Sequence, residues 1–291
     1  MVDVGRSPFA DGYRQVALDQ TIIAPALGAI TSRFKSVKDI GWYGSAYLLT
    51  TTAMQPTYGR VYQIFDVKTT YLVAVAFFEL GSLVSAVAPS STAFIVGRAV
   101  AGVGTAGLFS GSIVILSFIL PLRKRPTVFG LIGGMWGVAS VAGPLLGGAF
   151  TDRATWRWCF YINLPIGGAA MVALFFFLHI DRVNNPNNES LWARVKALDL
   201  PSTAIFIPAI VCLLIALEWG GTKYPWSNSR IIGLFVGFGL MALLFAGLQI
   251  WQGDKGTMPP RLFKNRDILC AMLFAFFFGA AFFPLVYYVG T

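Results

Sequence analysis

Charge is scarce in this chain. Only 12% of its 291 residues are charged, against about 25% in soluble domains. Thirteen acids and 22 basic residues are too few to clothe a water-soluble globule of this length. A single histidine excludes any multi-histidine metal site, and three cysteines without paired spacing exclude a disulfide framework or a thiolate metal set. No nucleophile–base pair and no ring-forming filter segment is visible, so neither enzyme nor channel chemistry is expected, and no metal or cofactor is implied. Disorder is excluded as well, because 25 Phe, 8 Trp and 10 Tyr cannot stay solvated. What is abundant is apolar surface: 56% of the residues are hydrophobic and the mean hydropathy is +0.68. The composition is that of an all-α integral membrane protein whose first partner is the lipid bilayer.

A hydrocarbon core about 30 Å thick needs about 20 apolar residues of helix, since lipid offers the backbone no hydrogen-bond partner. Segments 70–88, 94–120, 128–150, 160–180, 200–217, 231–250 and 268–289 meet this requirement or come close to it, and the shorter 42–58 is uncharged and bounded by aromatics. Segment 16–30 is short and contains Asp19 and Gln20. Residues 1–15 are polar, without the basic start, apolar run and cleavage site of a secretory signal. Eight helices are therefore expected, with a ninth, abbreviated one at the front.

With the N-terminus in the cytoplasm, fourteen Lys and Arg fall in inside segments and seven outside, Arg98 lying within a span. That bias favours this orientation. It also accounts for the net charge of +9 without nucleic acid, because the basic residues are scattered over loops rather than gathered on one face. The expected organisation is an atypical leader (1–15), a six-helix bundle (16–180), a cytoplasmic linker (181–199), two helices (200–250), a basic linker (251–267) and one further helix (268–291). The sequon Asn188-Glu189-Ser190 falls inside and should stay unmodified.

Gly102-Val103-Gly104-Thr105-Ala106-Gly107 matches the dinucleotide fingerprint G-x-G-x-x-G, but it lies within a long apolar run with no preceding strand. A glycine-lined helix face, extended by Gly97, Ala101 and Gly111, fits better, since close packing is what holds helices together in lipid. Arg98 is the most informative residue. A charge at depth is costly and therefore faces the bundle interior or snorkels outward. Asp19 and Glu79, the acids within spans, are its candidate partners. Gly143-Pro144-Leu145-Leu146-Gly147-Gly148 marks the fifth span as a helix able to kink and approach its neighbours closely. Residues 59–68 form a short charged turn between the second and third helices, and Trp156-Arg157-Trp158 with Asn163-Leu164-Pro165 opens the sixth.

These segments, in this order, resemble the major facilitator superfamily, specifically the fourteen-helix drug:proton antiporter branch of fungal multidrug and toxin efflux pumps. Leu18-Asp19-Gln20-Thr21-Ile22-Ile23 resembles that branch's first-helix signature. Residues 59–68 resemble the signature between helices two and three, Arg98 with Gly102 and Gly104 the fourth-helix motif, and Gly143–Gly148 the antiporter motif of the fifth. Gln63 stands where the loop motif has an acid, Asp66 where it has a glycine, and Ala139 where the antiporter motif often has a glycine.

The resemblance implies a complete N-terminal six-helix half, a central helix pair and one helix of a truncated second half. It implies proton-coupled efflux of a small organic molecule by alternating access, driven by the proton gradient, from the plasma membrane or the vacuolar membrane. Asp19, Arg98 and Glu79 would couple protons. Gln20, Gln55, Trp136 and Asn163 would line the substrate cavity. Gly59, Arg60, Lys68, Gly102, Gly104, Gly143, Pro144, Gly147 and Gly148 would serve conformational change. The alternative is an incomplete fragment without transport activity of its own. The resemblance leaves substrate identity and oligomeric state open.

Overall fold

The computed structural model describes residues 8–177, 198–253 and 256–289. The expected linker up to residue 197, its sequon at Asn188, and His179 lie outside the described residues. Two compact units are present, Met1–Asn188 and Glu189–Thr291, and each is treated by itself.

The first unit contains α1 (Pro8–Phe34), α2 (Ile40–Ile64), α3 (Val67–Val87), α4 (Ser91–Ile119), α5 (Arg125–Arg153), the short α6 (Trp158–Tyr161) and α7 (Asn163–Phe177). The second contains α8 (Leu200–Trp219), α9 (Ser229–Gln252), the short α10 (Arg261–Lys264) and α11 (Arg266–Val289). By length and composition, six segments of the described residues are fit to cross a membrane: α3, α4, α5, the α6–α7 pair, α8 and α9. The chain is a multi-pass membrane protein of helical-bundle architecture. α1 and α2 fall outside that set because polar residues lower their hydropathy: Gln15, Asp19 and Gln20 in α1, and Thr50 to Thr52, Gln55, Arg60 and Gln63 in α2.

The helices start where a side chain can satisfy an orphan backbone donor. Asp66 accepts from Thr69 N at 3.0 Å to open α3, and Ser90 accepts from Ala93 N at 3.2 Å to open α4. Asn228 accepts from Arg230 N at 2.9 Å at the start of α9. Arg125 reaches back from α5 to the Ser117 carbonyl at 2.7 Å and the Leu120 carbonyl at 3.2 Å, closing the end of α4.

Three sequence expectations are corrected. The first helix is not abbreviated: it starts at Pro8, eight residues before the expected 16, and runs for 27 residues. Hydropathy ends at residue 16, but the backbone stays helical because Gly12 and Gln15 of the supposed leader are buried against protein. The turn expected over 59–68 shrinks to Phe65 and Asp66, with Gly59 and Arg60 inside α2 and Lys68 inside α3. The Tyr62 hydroxyl donates to the Gly107 carbonyl at 2.9 Å and holds this last stretch of α2 against α4. The sixth span is interrupted at Ile162, between α6 and α7. Pro165 supplies no N–H to the carbonyl four residues earlier and its ring crowds it, which breaks the helix there.

Glycines set the spacing. On α4, a Cβ at Gly104 would strike the backbone of Phe78 and Ala74 on α3, and one at Gly102 would strike Thr50 and the Tyr47 carbonyl on α2. The fingerprint-like glycines are thus a double helix seam. Between α1 and α5, Gly143 lies against Thr21 and Gly147 against the Ile22 carbonyl, while Thr21 Oγ1 donates to the Ala139 carbonyl at 2.9 Å. Ala139, Gly143 and Gly147 recur every four residues and so share one helix face. Gly148 and Gly59 have nothing within 4 Å.

Two apolar clusters fill the first unit. One joins Val16, Tyr47, Tyr62, Tyr71, Phe78, Leu108 and Leu174. The other joins Ile22, Ile30, Tyr43, Phe94, Trp156 and Phe160. Along α1, α3, α4 and the α6–α7 pair the same polar level falls between them, at Asp19, Glu79 to Ser82, Arg98 and Asn163.

Candidate functional site

The polar level between the two clusters is the candidate site. Asp19 has no solvent exposure and Arg98 only 2%. Seven residues into α4 is about 10 Å along the helix axis, too deep for an unpartnered cation in hydrocarbon. Arg98 turns inward instead. Its Nη1 donates to Asp19 Oδ2 at 2.6 Å, its Nε donates to the Tyr43 carbonyl at 3.2 Å, and its guanidinium carbon lies 4.3 Å from the centre of the Tyr47 ring and 5.7 Å from that of Phe160. Weak hydration and a planar face suit a guanidinium to such an aromatic enclosure. The Tyr47 hydroxyl in turn accepts from Thr105 Oγ1 at 2.8 Å.

Asp19 has a second neighbour that hydropathy does not reveal. Asn163, buried at the start of α7, donates from Nδ2 to Asp19 Oδ1 at 3.0 Å and to Ser82 Oγ at 3.2 Å. The helix break at Ile162 lets α7 begin with this side chain in the layer. The Asn163 carbonyl accepts from Gln15 Nε2 at 2.6 Å, and the same nitrogen donates to Glu79 Oε1 at 2.6 Å. Glu79 is 9% exposed, and its Oε2 is buried without a hydrogen-bond partner. A continuous chain of contacts therefore runs from Arg98 through Asp19, Asn163 and Gln15 to Glu79, contributed by α4, α1, α7 and α3.

The three residues expected to couple protons thus meet in one layer. Of the four expected to line a cavity, Asn163 is inside this network, and Gln20 is half-buried one position after Asp19 on α1. Trp136 is half-buried on α5 and stacks on Phe109 with ring centres 6.2 Å apart. Gln55 is exposed on α2, and its carbonyl accepts from Ser110 Oγ at 3.5 Å. Gln15 and Gly167 were not anticipated: Gln15 fell in the supposed leader, and Gly167 looked like any membrane glycine.

The residues of the second-loop signature lie elsewhere. Arg60 Nη1 donates to Gln63 Oε1 at 2.9 Å, so the glutamine that replaces an acid still accepts from the arginine. Lys68 Nζ donates to the Phe175 carbonyl at 2.6 Å and sits 5.2 Å from the centre of the Phe175 ring, tying α3 to the end of α7. Pro144 lies within α5 beside the Gly143 and Gly147 seam. A separate pocket of about 230 Å³ at the α4–α5 turn is lined by Ile113, Leu116, Leu120, Val128 and Phe129 with Arg125. None of the charged layer contributes to it.

The sequence profile of the Major Facilitator Superfamily matches residues 15–291. The MFS-type efflux pump MFS1 of Trichophyton rubrum is 53% identical over 274 residues, covering 94% of this chain and 51% of that protein. The efflux pump aflT of Aspergillus parasiticus is 52% identical over 274 residues, covering 94% and 53%. The rubrofusarin-specific efflux pump aurT of Gibberella zeae is 50% identical over 265 residues, covering 91% and 48%. The chain spans about half the length of these relatives. In fold it resembles the crystal structure of a D-xylose-proton symporter, with a TM-score of 0.51 at 12% identity over 84% of this chain and 67% of that one.

Proposed function

Because the chain belongs to the major facilitator superfamily, we propose that it works in the proton-coupled export of a small organic molecule by alternating access. The observation that carries this reading is the Asp19–Arg98 pair at 2.6 Å, wholly buried between two apolar clusters. A membrane-embedded carboxylate held by one cation can exchange that cation for a proton, and the exchange changes which groups attract one another across the bundle. Glu79, in the same layer, is a second carboxyl able to take part. The gradient needs no cofactor to act on such a site.

Half-buried Gln20 and Trp136 are the groups proposed to face the exported molecule, since a few polar and aromatic side chains orient a ligand within an apolar pocket. The glycine seams of α4 and α5 are proposed to let helices slide without losing contact. The names of the relatives, one of them specific for rubrofusarin, favour a secondary metabolite or toxin as the exported class. We place the N-terminus in the cytoplasm on the charge bias of the loops, and the protein in the plasma membrane, with the vacuolar membrane as the alternative.

The test is export from cells expressing the gene, with and without collapse of the proton gradient. Asp19→Asn is expected to abolish gradient-dependent export while leaving the protein in the membrane. Unchanged, gradient-dependent export by that variant would overturn the assignment.

A further inference from the structure

We infer that Asp19 and Glu79 form a single proton-holding unit around Arg98, carrying one negative charge between them, and that Gln15 and Asn163 are the positioning residues that keep both carboxyls in it. The inference deepens the export reading and rests on it for its use in transport, but its chemistry is testable without transport.

Around Glu79, α1 contributes Gln15 and Asp19, α7 contributes Asn163 and the backbone of Gly167, and α3 contributes Ser82. The remaining titratable groups packed on the layer are Tyr43 and Tyr47 from α2 and Cys159 from α6. Among the described residues Arg98 is the one cation in this layer, and its contacts are with Asp19, the Tyr43 carbonyl and two aromatic faces. Arg98 with ionised Asp19 is neutral. An ionised Glu79 added to that pair would leave one uncompensated negative charge in a dry interior, held by a single donor on Oε1 and by none on Oε2. With Asp19 ionised, Glu79 therefore keeps its proton. If Asp19 takes a proton, Arg98 becomes the uncompensated charge, and ionised Glu79 is the carboxylate available to balance it. Two arrangements thus alternate with the same proton count and the same net charge, and a proton enters or leaves one carboxyl as it leaves or enters the other.

The amides make this one unit. Both hydrogens of Gln15 Nε2 are engaged, on Glu79 Oε1 and the Asn163 carbonyl, and both hydrogens of Asn163 Nδ2, on Asp19 Oδ1 and Ser82 Oγ. The positive end of an amide dipole thereby faces each carboxyl. Gly167 completes the arrangement, since a Cβ there would collide with the Glu79 carboxylate and come within 2.8 Å of Gln15 Nε2.

The experiment is infrared spectroscopy of the full chain in lipid nanodiscs at neutral pH, reading the C=O stretch of protonated carboxyls. The wild type is expected to show a band that Glu79→Gln removes. Asp19→Asn is expected to lose that Glu79 band at the same pH, and Asp19→Asn with Arg98→Gln to regain it. Gln15→Ala is expected to shift the band to higher wavenumber, because the carbonyl loses its hydrogen bond, a change that a merely structural role would not cause. Should Asp19→Asn fail to fold, Arg98→Gln alone reads the same claim, since a layer without its cation should gain a second band, from Asp19. The inference is overturned if Glu79→Gln removes no band, if a folded Asp19→Asn keeps the Glu79 band, if Arg98→Gln adds none, or if Gln15→Ala leaves the frequency unmoved. Intact bands with no export would instead reject the export reading and leave the unit standing.

Discussion

Arg98 can occupy its depth because Asp19, the Tyr43 carbonyl and the faces of Tyr47 and Phe160 take the place of water. Removing one partner of such a pair is expected to be far more damaging than removing both. Arg98→Met leaves Asp19 fully buried with only Asn163 for company, and a broken buried ion pair typically loses about 3–5 kcal/mol. Unfolding in micelles should therefore show a loss of about this size for Arg98→Met and recovery of much of it when Asp19→Leu is added. Additive losses would mean that the two residues do not act as a pair. At this scale the sequence is legible where a residue violates its surroundings: a cation and two acids inside apolar spans were conspicuous. Gln15 was not, because hydropathy averages a residue with its chain neighbours and not with the helices it touches. Asn163 was expected to line the cavity, but its contact with Asp19 was not legible, because sequence spacing does not reveal the helix break that turns it there.

Between helices, what matters is how closely backbones approach. Gly104 and Gly143 each occupy a point where a methyl group would meet a neighbouring helix, whereas Gly137 on α5 has nothing within 4 Å. Gly104→Ala and Gly143→Ala are each expected to lose about 1–3 kcal/mol from overpacking. Gly137→Ala should be neutral or gain up to about 1 kcal/mol from helix propensity. Equal effects at all three positions in the micelle unfolding assay would refute the seam. In the second unit, Asp199 caps α8 with φ of 49° and gathers the chain that follows α9. It accepts from Gln249, Gln252 and both the amide and hydroxyl of Thr257. Burial pushes this carboxyl up, but its hydrogen bonds to Ser202, Gln252, Thr257 and Gln249 outweigh that and hold it below the ordinary 3.8. A lowered folded-state value means stabilisation that is present above about pH 3.8 and is lost as pH falls through the folded value. Hydrogen exchange at the Thr257 amide, corrected for its intrinsic pH dependence, should lose protection below that value, and Asp199→Ala should remove it at neutral pH. Helix existence was legible for every long element, since apolar length is dictated by lipid. Helix ends were not: α1 and α2 continue past their apolar runs because their polar turns face protein.

At the scale of the molecule, the proposed orientation rests on the distribution of basic residues. Exposed Arg123 and Lys124 lie at the α4–α5 turn, and Arg261, Lys264 and Arg266 line the approach to α11. In the other connections several cations are committed to local contacts. Arg157 donates to the carbonyls of Ala86 and Ala88 at the end of α3. Arg230 donates to the Tyr224 hydroxyl at 2.7 Å, and Lys223 sits 4.7 Å from the centre of the Trp219 ring. Cations placed over interfacial aromatics anchor a helix end, while exposed clusters on short loops resist translocation. The α8–α9 loop should therefore lie outside the cell and the turn before α11 in the cytoplasm. With Cys159, Cys212 and Cys270 replaced by alanine, Ser227→Cys should react with a membrane-impermeant maleimide on intact cells, and Asn265→Cys only after permeabilisation. Both side chains belong to exposed positions, so burial does not explain a failure to react. Labelling of Asn265→Cys on intact cells with protection of Ser227→Cys would reverse the orientation. The charged layer, which sits nearer the ends of α3 and α4 joined by their short connection, would then face the cytoplasm, and protons would have to reach it from the opposite side to the one an inward gradient supplies.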